Sequence, residues 1–305
     1  MVDYSKRVMK GRIMTLRHLK IFVTVYQEMN ITRASELLHL AQPSVSTAIK
    51  ELEDHYGISL FDRINRRIHA TEKGTEFYSY ANDIIQRFEE MESSIPGMAQ
   101  TEKLHVGSSI TIGNYIIPDL LKEFRKKHRS CEVKVTIQNS QNIMQAVLKN
   151  ELDLGLVEDQ VVNEHLCQRV FMKDQLCFAC GREHPLAEKE QITLEMICGY
   201  PFFMRERGSA GREITDHMIR SKGIKYHISW ESVSNQALLR AIEAEPGITV
   251  LSEKILQSAV AAGRIAVLPL HPEEFDRCFR LIFHKKKHIT DVLNDFICVV
   301  YGLNR

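Results

Sequence analysis

The stretch ITRASELLHLAQPSVSTAIKELEDHYG, from Ile31 to Gly57, limits the possible folds more than any other part of the chain. It compresses two short helical patterns around one proline. Pro43 lacks an N–H and has a fixed φ, so it fits the first turn of a helix and no later position. From there Val45, Ile49, Leu52 and Tyr56 recur at i, i+4, i+7 and i+11, a single stripe at about 100° per residue. The opposite side carries Pro43, Thr47 and Lys50, with Ser44 and Ser46 on its flanks and Gln42 at its start. Upstream, Leu16, Leu19, Phe22 and Val23 predict a first helix from about Leu16 to Asn30. Thr32 is placed to cap a second helix whose inward face is Ala34, Leu37 and Leu38, although Glu36 stands one residue late for a strict capping box.

A hydroxyl-rich, basic helix face suits hydrogen bonding to base edges and phosphates, and equally suits an ordinary solvated face. The next segment separates the two. Leu60, Phe61 and Ile68 anchor a small hairpin with Arg63, Arg66 and Arg67 at its tip, three arginines in five residues. Beside such a helix they read as a wing gripping phosphates. The assembly is a helix-turn-helix with a basic wing.

Bulk charge adds nothing to this. The 305 residues carry a net charge of +1, so nucleic-acid affinity must come from a local patch. Chain length corresponds to about two or three domains. The first residues, MVDYSKRVMKGRI, lack the apolar core of a signal peptide, and no run reaches the roughly 18 apolar residues of a membrane span. Seven irregularly spaced cysteines fit a reducing cytoplasm. Met14 begins MTLRHLKIF, which has the form of a natural start, so residues 1–13 are expected to be a disordered extension.

The segment from about Thr15 to Gly74 resembles the winged helix-turn-helix of LysR-type transcriptional regulators. The likeness rests on Ala34-Ser35-Glu36-Leu37-Leu38, Gln42-Pro43-Ser44-Val45-Ser46, Leu52-Glu53, Leu60-Phe61-Asp62-Arg63 and Ala70-Thr71-Glu72-Lys73-Gly74. It departs from the family at Ala41, where Ser commonly precedes Gln-Pro, so a cap worth roughly 1 kcal/mol is missing. The resemblance implies that Gln42, Pro43, Ser44, Ser46, Thr47 and Lys50 contact DNA from the recognition helix. It implies backbone contacts from Thr32 and Arg33, and a wing of Arg63, Arg66 and Arg67 near the flanking minor groove. DNA-binding residues 14–74 would be followed by a linker helix over 75–96, a hinge over 97–102, and an effector domain over 103–305.

In the linker segment Phe77, Ala81, Ile84, Phe88, Met91 and Ile95 are spaced 4, 3, 4, 3 and 4. That is a heptad seam, short enough that packing on its own domain competes with dimerisation. The family's linker helix pairs with a second chain, and four chains per assembly is its common state.

Beyond Lys103 strands and helices alternate, which predicts an α/β region with a largely parallel sheet. The resemblance implies a two-lobed, periplasmic-binding-protein-like effector domain. Lobe I would span about 103–172 and 273–305 and lobe II about 173–270, with crossings near Phe171–Asp174 and Leu268–Glu273. In such sheets ligands sit where strands end and helices begin. Ser108, Ser109 and Thr111 follow the first strand and Ser140 the second, although each could be merely a cap. Arg205 and Ser209 flank a turn resembling the family's Gly-Ser effector contact. The expected guest is a small organic anion. The whole is an α+β multidomain regulator whose partners are duplex DNA, a small-molecule effector and itself, with no cofactor and no catalytic set.

Two other signals compete. Cys177-Phe178-Ala179-Cys180 invites a zinc or dithiol reading, but residues three apart on a strand point to opposite faces. In the peroxide-sensing branch of the family a reactive Cys occupies the turn that here reads Gly208-Ser209-Ala210, so a redox-responsive regulator is one alternative. A solute-binding protein or enzyme built on the α/β region is a second. It lacks a secretion signal and a convergent nucleophile or acid/base set. His284 and His288 flank a lysine run that reads as a solvated basic turn.

Overall fold

A computed structural model describes residues 14–64, 67–94, 102–158 and 162–302. Arg66, Ile95, the hinge up to residue 101 and the extension 1–13 lie outside the described residues. The chain forms two compact units, residues 1–100 and 101–305.

The first unit holds α1 (Leu16–Glu28), α2 (Ile31–Leu37), α3 (Gln42–Tyr56), β1 (Phe61–Ile64), β2 (Arg67–Ala70) and α4 (Glu72–Ser94). Helix α1 stops at Met29, which takes the left-handed conformation, and Asn30 caps α2 by accepting from the Arg33 N–H. The cap therefore falls on Asn30 instead of Thr32, because the preceding helix ends two residues earlier than its periodicity suggests. Val45, Ala48, Ile49 and Leu52 are buried against α1, whereas Tyr56 and Leu37 are exposed.

Several residues of the family signature act on the backbone. Glu53 Oε1 accepts from the N–H groups of Leu60 (2.8 Å) and Phe61 (3.2 Å), fixing the hairpin to α3. Thr71 Oγ1 donates to the Ser59 carbonyl and accepts from the Gly74 N–H, both at 2.8 Å. A Cβ at Gly74 would stand 2.0 Å from the Leu60 carbonyl oxygen, so only glycine fits there.

Helix α4 begins at Glu72 and buries Tyr78, Ala81 and Ile85 in its own unit, with Tyr78 stacked 3.9 Å from Tyr26. The heptad seam is thus divided. Ala81 and the half-buried Phe77 pack inward, and Phe88 lies under the Lys20 ammonium (5.6 Å). Ile84 and Met91 are exposed together with Tyr80.

The second unit holds β3 (Lys103–Ser108), α5 (Ile110–Tyr115), α6 (Ile117–Lys127), β4 (Glu132–Ile137), α7 (Ser140–Leu148), β5 (Leu154–Glu158) and β6 (Leu166–Gly181). There follow α8 (Leu194–Cys198), β7 (Pro201–Arg205), α9 (Ala210–Ser221), β8 (His227–Ser232), α10 (Asn235–Ala244), β9 (Ile248–Ser252), α11 (Glu253–Ala261) and β10 (Ile265–Val267). A 3-10 turn, β11 (Asp276–His284) and α12 (Asp291–Gly302) close it.

The strands run in the order β4-β3-β5-β11-β6-β9-β7-β8, with β10 also on β6. The sheet is mixed, not largely parallel. Pairs β3/β4, β3/β5, β7/β8 and β7/β9 are parallel, while every pairing of β6 and β11 is antiparallel. The reason is that both strands carry the chain between lobes. The first part of β6, up to Gln175, pairs with β11, and its second part pairs with β9 and β10. Each lobe has its own core, around Phe124, Phe171, Phe279 and Phe296 on one side and Phe178, Phe202 and Phe275 on the other.

Candidate DNA-reading face and ligand site

On α3 the buried stripe leaves Gln42, Pro43, Ser44, Thr47 and Lys50 exposed and Ser46 half-buried. Ser46, Thr47 and Lys50 line a concavity shared with Ser59 and Ile68 at the foot of the hairpin. Ala41 stands at the N-cap position and makes no side-chain cap bond. Thr32 and Arg33 are exposed on α2, and Arg33 pairs with Glu36 at 3.2 Å. In the hairpin Arg63 is opposite Ile68 and Ile64 opposite Arg67, so these two arginines stand on the strands flanking the tip.

In the second unit the predicted hydroxyls gather around a carboxylate that the sequence did not mark. Glu158, at the end of β5, is 7 % exposed. Its Oε2 accepts from Arg277 Nη1 at 2.6 Å, and its backbone N–H donates to Ser140 Oγ at 3.3 Å. Arg277 also grips Asp174 Oδ2 through Nε (2.8 Å) and Nη2 (2.7 Å), and the Ser252 hydroxyl donates to Asp174 Oδ1 at 2.7 Å. This chain of charged contacts runs from β5 of lobe I, through both crossing strands, to the cap of α11 in lobe II. Burial pushes the Glu158 pKa up, but the Arg277 charge, the Thr111 and Ser109 hydroxyls and the Arg205 charge together hold it below the usual carboxylate range.

The remaining site residues divide. Ser108 donates to the Ser109 carbonyl at 3.0 Å and is occupied locally. Ser109 is 1 % exposed, and its hydroxyl lies beside the Glu158 carboxylate. Ser140 opens α7, but Asn139 is its cap. Arg205, at the end of β7, holds the adjacent Glu206 in a fork, Nε to Oε2 at 2.9 Å and Nη2 to Oε1 at 3.0 Å. Its Nη1 donates to Asn235 Oδ1 at 2.9 Å, which leaves the buried Asn235 Nδ2 without a partner among the described residues. Arg212 secures this strand end by donating to the Arg205 carbonyl at 2.8 Å while paired with Asp216 and Glu231. Ser209 is buried at the N-cap of α9 and makes no cap bond.

The two lobes meet here. A Cβ on Gly208, whose φ is +87°, would lie 2.8 Å from Gln141 Oε1 and 3.2 Å from Asn139 Nδ2. Glu158, Asp174, Arg277, Ser252 and Asn235 are the site residues that sequence reasoning missed. The available signal was a glutamate closing the apolar run Leu154–Val157.

The "LysR substrate binding domain" matches residues 99–300, and "Bacterial regulatory helix-turn-helix protein, lysR family" matches residues 16–75. The chain belongs to the LysR family. It is a DNA-binding transcriptional regulator with an effector-binding domain. It is 30% identical over 283 residues to the HTH-type transcriptional regulator YeiE of Escherichia coli, covering 93% of this chain and 96% of that one. A full-length OxyR variant from Pseudomonas aeruginosa, with one cysteine replaced by aspartate, shares the fold with a TM-score of 0.76 at 21% identity, over 95% of each chain. The CcmR regulatory domain of Synechocystis PCC6803, solved in complex with 2-PG, superposes with a TM-score of 0.62 at 27% identity, over 67% of this chain and 98% of that one.

The redox alternative loses ground on the thiols themselves. Ala210 opens α9. Burial pushes Cys131, Cys177, Cys180 and Cys198 up to about 11, far from the thiolate a sensor needs. Cys177 and Cys180 belong to different core clusters. No group of three or more metal-ligating side chains occurs among the described residues. The lysine run is not wholly solvated, since Lys287 is mostly buried and pairs with Asp153 at 2.7 Å. No described helix is long and apolar enough to cross a membrane.

Proposed function

We propose that α3 reads an operator from the major groove through Gln42, Pro43, Ser44, Ser46, Thr47 and Lys50. Thr32, Arg33, Arg63, Arg66 and Arg67 hold the flanking phosphates. One observation carries this reading: the side of α3 opposite Val45, Ala48, Ile49 and Leu52 is polar, basic and open. Two chains pair through α4, where Tyr80, Ile84 and Met91 form an exposed apolar stripe, and dimers associate further into tetramers. The protein acts in the cytoplasm as a binding protein, without catalysis.

A small anionic molecule, bound among Ser109, Thr111, Ser140, Arg205 and Ser209 between the lobes, alters the DNA complex. The 2-PG complex of CcmR, a relative of this second unit, supports a small-molecule guest. The test is a salt titration of duplex binding by the full-length chain, followed by fluorescence anisotropy with and without residues 1–75. Binding should fall steeply with salt and vanish on truncation. Salt-insensitive binding, or binding that survives truncation, overturns the reading.

A further inference from the structure

The cations of the ligand site are already taken. Arg277 is held by Glu158 and Asp174, and Arg205 by Glu206. An incoming anion must therefore displace one of these carboxylates, and their surroundings decide which one yields. Glu158 is buried, bonded to Arg277 and backed by hydroxyls, so moving it leaves a guanidinium only 2% exposed with Asp174 as its one carboxylate partner. Glu206 is different. Its side chain is 15% exposed, it sits next to its partner in sequence, and it leads into a turn whose Gly208 already takes a positive φ. It can turn out to solvent without disturbing a strand.

One buried polar atom beside these groups, Asn235 Nδ2, lacks a partner among the described residues, and the Ser109 hydroxyl lies against Glu158. The Asn235 amide cannot be reversed to remove its orphan, because Arg205 only donates and fixes Oδ1 toward itself. Next to Arg205 there is thus one spare donor, and in Glu158 a fixed carboxylate.

Resting on the reading of an anionic ligand between the lobes, we infer that the ligand is a hydroxy acid or amino acid. Its carboxylate replaces Glu206 in the Arg205 fork and meets Asn235 Nδ2, while its hydroxyl or ammonium donates toward Glu158 and Ser109. Glu206 is then a built-in competitor for the carboxylate position, and Glu158 is the residue that demands a donor on the guest. A plain carboxylate fills one half of the site and leaves Glu158 facing an apolar group.

The experiment uses the full-length chain and matched acids on shared carbon frames, lactate against propionate, malate against succinate, and alanine as the ammonium form. Binding is followed by calorimetry and thermal shift. Wild type should prefer each donor-bearing acid to its plain counterpart by roughly tenfold, the magnitude of one charge-assisted hydrogen bond. Glu206→Gln should tighten binding of all of them, again by roughly tenfold. Glu158→Gln, which keeps an acceptor but loses the charge, should shrink the preference for ammonium over hydrogen while leaving carboxylate binding in place. Equal affinity for plain and donor-bearing acids, or weaker binding by Glu206→Gln, overturns this inference and leaves the anion reading standing. No binding of any acid to wild type or to Glu206→Gln, with DNA binding intact, overturns both.

Discussion

Arg277→Met tests whether the charged chain between the lobes is integral to the fold. The substitution keeps most of the side-chain length and removes contacts of 2.6, 2.7 and 2.8 Å, leaving Glu158 and Asp174 buried without their cation. Breaking a buried pair from one side costs about 3–5 kcal/mol. The chain has a single tryptophan, and Trp230 lies on β8 beside Phe203 (5.5 Å), so its fluorescence follows lobe II through a urea titration. The sign of the pH dependence adds a second check. In the wild type the folded pKa of Glu158 is depressed, so its stabilisation is complete above the unfolded value of about 4.3 and is lost as pH falls through the folded one. Without Arg277, burial dominates and raises that pKa, so the variant should gain stability relative to wild type as pH falls toward the unfolded value. Adding Glu158→Gln and Asp174→Asn to Arg277→Met should restore over half of the loss. A single variant costing under about 1 kcal/mol, the range of an exposed pair, or one keeping the wild-type pH slope, would refute the reasoning.

Arg66→Ala should weaken binding to all duplexes alike and lower the salt slope by about 0.9, measured by anisotropy, whereas Thr47→Ala and Lys50→Ala should lower specific binding more than nonspecific. On α4 the two faces should separate. Ile84→Glu should shift the chain to smaller species by light scattering without lowering the melting temperature of the smallest one. Ile85→Ala should destabilise the first unit by about 2–4 kcal/mol because it empties a packed site. At pH 8 Cys298, which is exposed, should react with a thiol reagent well before Cys177 and Cys180, whose thiols are pushed up to about 11.

The reading of α3 from sequence worked because its information is local. A first-turn proline and a stripe buried from Val45 to Leu52, though not at Tyr56, lie within one helix and need no distant partner. The linker helix was legible only in part, for a physical reason. Helical and heptad repeats differ by about 20° per heptad, so under three heptads cannot separate a stripe facing α1 from one facing a partner. Tyr78 and Ile85 belong to the first face, Ile84 and Met91 to the second, and the sequence blends them. The candidate ligand site was least legible. Arg277 meets Glu158 across 119 residues and Asp174 across 103, and nothing local to any of the three marks it as paired. The serines were legible as candidates because strand ends and helix starts are local signals. The carboxylate at the centre of those serines was not, since a Glu closing a strand reads as a surface residue.

The missing cap at Ala41 costs less than the sequence alone suggests, and the reason bears on how α3 meets DNA. A helix start leaves about four N–H groups unsatisfied. Pro43 contributes none, and the Ser44 N–H closes onto the Ala41 carbonyl at 2.9 Å, with Val45 on the same oxygen at 3.3 Å. Among the described residues no group accepts from the Gln42 N–H. A serine at position 41 would direct its oxygen at N–H groups of the first turn, which are already nearly accounted for. With alanine there, the dipole end of α3 presents one free N–H, the Gln42 amide and the Ser44 hydroxyl, a donor set matched to a phosphate oxygen. The departure from the family's usual Ser is therefore consistent with a helix that completes its capping on the DNA backbone.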